Sequence, residues 1–221
     1  PTLDASIEST YAARSEARSK RTLYDSYIRA IRWASNRVNA SRDGGIVGFV
    51  SNGGWIDANS ADGIRLTLPT EFHHIYIFNL RGNQRTSGEE SRREGGKVFG
   101  QGSRNTVAIT ILVRQPGPVP HGGAQIHYSD IGDYLHRDEK LDIIARANVV
   151  DVQWQPILPN DNGDWLNQRD ATFDQHILLA GEQGIFQTQS LGLATSRDVW
   201  AYNASEADLR TNVSKMVAFY N

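Results

Sequence analysis

Apolar positions along the chain fall into short periodic blocks separated by polar and glycine-rich stretches. Leu23, Tyr24, Tyr27, Ile28, Ile31, Ala34 and Val38 recur at i, i+3, i+4 and i+7. That spacing makes one apolar helix face and predicts a helix over 22–38, with Arg29, Arg32 and Arg37 off the stripe. Ile46 to Ser51 is an apolar run without alternation, the pattern of a strand covered on both faces. A second helix is expected over about 58–68, closed by Pro69, because proline cannot extend a helix freely. Phe72 to Asn79 reads as a second strand and Thr106 to Arg114 as a third, with a Gly/Arg-rich loop from Arg81 to Asn105 between them.

Past this point the pattern thins. Pro116 to Gly123 is rich in proline and glycine and is the natural internal boundary. Gln125 to Tyr128 suggests a short strand, and Arg137 to Ala147 a helix with Leu141, Ile144 and Ala145 inward. Ser205 to Tyr220 predicts a helix capped by Ser205, with Asp208 as the acidic partner of a capping box. Residues 1–21 alternate charges without a core face and read as a polar lead-in with one weak helix. Strands alternating with helices place the chain in the α/β class. The expected division is 1–21 lead-in, 22–115 α/β core and 116–221 an α+β extension.

Composition narrows the function classes. The chain has 221 residues, 39% hydrophobic and 22% charged, with a net charge of −2. Nothing global attracts a polyanion, so a nucleic-acid contact has to be local. There is no cysteine, which removes disulfides, thiolate metal sites and cysteine nucleophiles and leans toward a cytoplasmic setting. No apolar run approaches the roughly 18 residues of a membrane span, and no membrane partner is expected. The six histidines make no His-Glu-x-x-His or other metal-ligand pattern, so no metal is expected. Gly95-Gly96-Lys97 lacks the spacing of a phosphate loop, and no Gly-x-Ser-x-Gly elbow supports a hydrolase. Polar residues at the start and an amphipathic helix at the very end read as a piece of a longer polypeptide.

The candidate chemistry gathers between Thr22 and Leu112. Ser51-Asn52-Gly53-Gly54-Trp55 follows a buried strand, and ligands bind at that end of the strands in open α/β sheets. Asn52, Gly53 and Trp55 are therefore candidate cleft-lining residues; the bland alternative is a strand–helix turn needing positive φ, plugged by Trp55. Arg81, Arg85, Arg92, Arg93, Lys97 and Arg104 concentrate positive charge in one loop against Glu89, Glu90 and Glu94. They are candidate contacts to DNA phosphates, or else a solvated loop with internal ion pairs.

The wording of this run resembles the second half of the catalytic domain of DNA adenine-N6 methyltransferases. Leu23 to Ala30, Gly44 to Ile56 and Val98 to Arg114 match three pieces of that family in order. The longer words Phe49 to Asp57, Asn79 to Asn83 and Ser196 to Trp200 are similar to the methyltransferase region of large single-chain Type I (Type ISP) restriction–modification enzymes, which also carry a nuclease and a helicase. The resemblance implies half of a Rossmann-like sheet, with the strand at 106–114 antiparallel between the other two. It implies S-adenosylmethionine as cofactor, Tyr27 beside the cofactor's adenine, Phe99 stacked on a flipped target adenine, and double-stranded DNA and the rest of a parent polypeptide as partners. The family's Asn-Pro-Pro-Tyr motif and glycine-rich cofactor loop are absent from the chain, so the segment alone is expected to be inactive. The competing reading is a non-catalytic DNA-binding or coupling module between a helicase motor and a target-recognition domain. The words Asp164 to Asn167 and Arg197 to Trp200 have no assigned role.

Overall fold

The computed structural model describes residues 2–100, 104–170, 172, 175–188, 190 and 198–220. The chain forms two compact units, Pro1–Arg169 and Asp170–Asn221. In the first, helix α1 (Leu3–Ile7) runs into a π-helical turn at Glu8–Ala12, followed by α2 (Ser26–Asn39), β1 (Gly45–Asn52), α3 (Asp62–Glu71) and β2 (His74–Arg81). Then come α4 (Gly88–Glu94), β3 (Val107–Arg114), β4 (Gln125–Asp130), α5 (Arg137–Arg146) and β5 (Gln155–Ile157). The second unit contains α6 (Asp198–Ala201) and α7 (Glu206–Tyr220).

The strands form one mixed sheet in the order β1-β3-β2-β4-β5. β3 lies antiparallel between β1 and β2, as expected, pairing Gly48 and Tyr76 with opposite sides of Ile111. β4 is parallel to β2, and β5 adds an antiparallel edge. The Pro/Gly stretch 116–123 therefore joins two strands of one sheet.

Val47, Ala108, Leu112, Ile75, Ile77 and Ile126 point to one face and pack with Ile28 and Ile31 of α2 and Ile64 and Leu68 of α3 in the main core. The opposite face carries a smaller cluster around Phe78, Leu80, Val98, Val107 and Ile131, with Ile143, Ile144 and Trp154 against it. β1 is covered on one face only, contrary to the expectation from its unbroken apolar run. Ile46 and Val50 are 71% and 57% exposed, because no other element of the first unit packs on that side of β1, an edge strand of the sheet.

The N-terminal segment is core rather than polar lead-in. Ile7, Tyr11 and Ala12 are buried in the main cluster. α3 crosses this turn at Gly63, where a Cβ would fall 1.9 Å from the Tyr11 carbonyl oxygen. The buried Asp62 carboxylate accepts from the Ser15 hydroxyl and the Glu16 amide, latching the segment to the start of α3. Arg32 also departs from the sequence pattern: it is buried, lies over the Tyr11 ring at 5.0 Å and pairs with Glu71 at 3.0 Å. Pro69 lies inside α3 rather than ending it; the helix continues to Glu71, with the Phe72 amide bonded to the Leu68 carbonyl.

Two further expectations shift. The loop 81–105 contains α4. In α5, Leu141 and Ala145 face outward, whereas Lys140 is fully buried and Ile143 and Ile144 meet the smaller cluster. In the second unit, Ser205 caps α7 by accepting from the Asp208 amide, but its own amide donates to Asn203, so the reciprocal half of the box does not involve Asp208.

The word Asp164 to Asn167 acquires a structural role. Arg65, buried on α3, donates to the carbonyls of Trp55, Ala58 and Gly163 and faces Asp164 at 3.9 Å. Trp165 meets Trp55 edge-on at 5.5 Å, and Asn167 donates to the Asp57 carboxylate. This stretch clamps the turn after β1. Arg197 lies outside the described residues.

Candidate functional site

A cavity of about 370 Å³ opens at the C-terminal end of β1. Tyr27 and Ile28 of α2, Trp55 of the turn after β1, and Arg85 of the 81–105 loop line it, with Asp25, Asn52 and Thr106 supplying polar groups. Three distant stretches meet here because β3 is inserted beside β1. Thr106, just ahead of β3, accepts the Gly53 amide through its carbonyl at 3.0 Å, which brings the far end of the loop to the β1 turn.

The turn itself is an Asx turn. The Asn52 Oδ1 accepts the Gly54 amide at 2.9 Å, a short side-chain cap that replaces a backbone bond at a strand end. Gly53 has φ −84°, so positive φ is not what it supplies. A Cβ there would meet Ala108 Cβ at 3.1 Å and Thr106 Cγ2 at 3.3 Å; closeness to β3 is the constraint. Trp55 is fully buried and acts as both plug and cavity wall. Tyr27 is half-buried, and burial, reinforced by the Asp25 charge, pushes its phenol up to about 12. It is a neutral ring with a hydroxyl at physiological pH.

The C-terminal end of β2, at the same end of the sheet, is braced by a second polar network. The Asn79 Oδ1 accepts the Arg81 amide and the Thr106 hydroxyl, while its Nδ2 donates to the Tyr128 hydroxyl at 3.0 Å. A register shift between Asn79 and Arg81 accompanies Arg81 at φ +56° and Gly82 at φ +90°. The Arg81 guanidinium is held by Asp130 at 2.7 Å and by Asp133. Its charge is paired within the fold, unlike that of the exposed arginines of the loop.

The other basic residues of the loop differ in setting. Arg85 is exposed and reaches the cavity. Arg92 is exposed and pairs with Glu89 at 3.4 Å. Arg93 is exposed, and a hydrogen bond to Tyr134 raises its basicity. Arg104 is exposed and donates to the Gln84 carbonyl; Lys97 is half-buried. Phe99 leaves 51% of its surface exposed although its neighbour Val98 is buried. It is not among the residues lining the cavity. Asp25, Asn83 and Asn105, which do not stand out in the sequence, also line the cavity. Asn83 and Asn105 stand near the two ends of the Gly/Arg-rich loop, and that placement was the available signal.

Comparison with known proteins then fixes the context. A family described as the Type ISP C-terminal specificity domain matches residues 184–221. A nuclease-deletion mutant of the Type ISP restriction–modification enzyme LlaGI, solved with a DNA substrate mimic, is 48% identical over 96% of this chain, with a TM-score of 0.83. In sequence and in fold, the chain corresponds to one region of the Type ISP restriction–modification enzymes. The ATP-dependent Type ISP enzyme LlaBIII, bound to DNA, is 35% identical over 99% of the chain, with a TM-score of 0.78. A DrdV–DNA complex is also 35% identical over 99% of it, with a TM-score of 0.82. This Type ISP region spans only 17%, 14% and 22% of the LlaGI, LlaBIII and DrdV chains, respectively. No curated protein matches it. Among the described residues, no helix is long and apolar enough to cross a membrane, and no cluster of three metal-ligating side chains occurs.

Proposed function

We propose that this chain is the second half of a DNA adenine-N6 methyltransferase active site within a restriction–modification polypeptide. The observation that carries the reading is the placement of β3 antiparallel between β1 and β2, together with the cavity this creates at the end of β1. The Type ISP similarity supplies the setting.

The residues present fit the adenosine end of S-adenosylmethionine. A cavity of about 370 Å³ is within the usual range for small-molecule sites, and an apolar wall with a few convergent polar groups is their usual character. Tyr27, Ile28 and Trp55 would hold the flat ring, and Asp25 and Asn52 would take its polar edge. When bound, the cofactor supplies an activated methyl group on a sulfonium. This chain's own contribution is positioning and exclusion of water. The target amine lies inside a duplex, so the base has to be extruded at a cost of about a few kcal/mol. The exposed Phe99 ring offers a stacking face worth about 1–3 kcal/mol per base. Arg85, Arg92, Arg93, Lys97 and Arg104 lie on the same loop as Phe99 and would hold phosphates near it, and residues 184–221, which match the specificity-domain family, would connect this half-site to target recognition.

The test is the full gene product incubated with tritiated S-adenosylmethionine and adenine-unmethylated DNA. N6-methyladenine in the product DNA supports the reading. Its absence, with the protein still binding DNA, favours the non-catalytic coupling module instead. The isolated 221 residues should bind the cofactor too weakly for calorimetry; tight binding would overturn the half-site argument.

A further inference from the structure

Lys140 is the one fully buried lysine among the described residues, and its partners are backbone. Its Nζ donates to the carbonyl oxygens of Glu94 at 2.8 Å and Gly96 at 2.9 Å. The same stretch is gripped elsewhere. The Tyr134 amide donates to the Arg93 carbonyl, the Gly96 amide to the Leu135 carbonyl, and Arg137 Nε to the Val98 carbonyl at 3.1 Å. No side chain fits between the two segments. A Cβ on Gly95 would lie 2.2 Å from the Leu135 oxygen, and one on Gly96 would lie 2.8 Å from the Arg137 nitrogen. Residues 93–98 are thus pressed against the start of α5, with Val98 buried at the end of the clamp and Phe99 emerging from it half-exposed.

We propose that Lys140 is a positioning residue for Phe99: by holding the Glu94 and Gly96 carbonyls, it fixes the place from which the ring meets an extruded base. This rests on the stacking role proposed for Phe99. The chemistry explains why a lysine occupies the site. A buried methionine would fill the same volume, but it would leave the Gly96 carbonyl without this donor and the Glu94 carbonyl with only the Gly82 amide. A buried ammonium normally carries a desolvation cost. Burial does pull Lys140 below its ordinary basicity, while the charges of Glu94 and Asp130 act against that effect. The arrangement makes the stacking ring depend on a helix some forty residues later in the chain, so the extension after residue 116 contributes to the site.

The test uses the full gene product with Lys140→Met, Phe99→Ala and the double variant. Single-turnover methylation is read on adenine-unmethylated DNA, and hydrogen exchange is read over residues 94–100. A displaced reacting partner can cost up to about a hundredfold in rate. Lys140→Met should therefore slow methylation about 10- to 100-fold in the presence of Phe99 and by less than about twofold when Phe99 is already alanine, the non-additivity of residues acting as a unit. Exchange over 94–100 should quicken while the amides of β2 and β3 stay protected. Arg137→Ala, which removes the Val98 bond and a solvent-exposed ion pair with Asp138, should show a smaller loss with the same dependence on Phe99, and it serves if Lys140→Met does not fold. Equal losses with and without Phe99, or unchanged exchange over 94–100, overturn the proposal for Lys140 while leaving Phe99's role intact. A wild-type rate for Phe99→Ala alone overturns the stacking role itself.

Discussion

Phe99→Ala separates a stacking ring from a packing ring, because the two roles predict opposite balances of activity and stability. Fully burying a phenylalanine is worth about 1.5–3 kcal/mol. Phe99 is 51% exposed, so its covered half accounts for about 1 kcal/mol, or a fall of roughly 2–4 °C in the melting temperature of a unit this size. Losing a base-stacking face costs about 1–3 kcal/mol, which slows the affected step about 5- to 150-fold. Phe99→Tyr and Phe99→Trp keep a flat ring and should keep most of the rate. The assay pairs thermal unfolding with single-turnover methylation by the full gene product under saturating cofactor. Were the ring structural, truncation would cost about 3–5 kcal/mol of stability, as in a core. A large fall in melting temperature with an unchanged rate in the folded fraction would refute the stacking argument.

Three further outcomes follow from the packing. Trp165→Ala removes the partner of Trp55 in the clamp after β1, and urea unfolding should show a loss of about 3–5 kcal/mol; a loss below about 1 kcal/mol would mean that the clamp is dispensable. Val50→Lys places a charge on the exposed side of the edge strand, so light scattering of the isolated chain should show slower aggregation at an unchanged melting temperature. The Asp164 carboxyl is buried, which opposes its ionisation, yet bonds from Asn160 and Arg169 outweigh burial and hold it below the usual carboxylate range. Its ionised form therefore adds stability above the unfolded value near pH 4, and this is lost as the pH falls through the lower folded value. Asp164→Asn should flatten that acid limb of a stability–pH curve; an unchanged limb would remove Asp164 from the account.

The order of three central strands and the turn that borders the cavity were legible in the sequence and its family resemblance. The apolar runs at 46–51, 72–79 and 106–114 marked three strands, and the resemblance put the last between the other two, as observed. The polar turn Asn52–Trp55 at the end of a strand marked a cleft-lining position, and the fold brings Tyr27 and Arg85 to the same cavity. The strands and the turn were readable because strand formation, helix periodicity and turn chemistry are local: residues within a few positions of one another decide them.

Only the tertiary structure decided which charges are internal. Arg32 is off the apolar stripe of its helix yet lies buried, because Tyr11 and Glu71 reach it from distant segments. Arg81 counts as loop charge until Asp130 and Asp133 neutralise it. Lys140 displaces Leu141 as the inward residue of α5 because two backbone carbonyls 44 and 46 residues earlier need a donor there. A hydrophobic pattern records which side chains avoid water on their own account. A charged group goes inside only when partners far away in sequence replace its water, and those partners become visible only once the chain has folded.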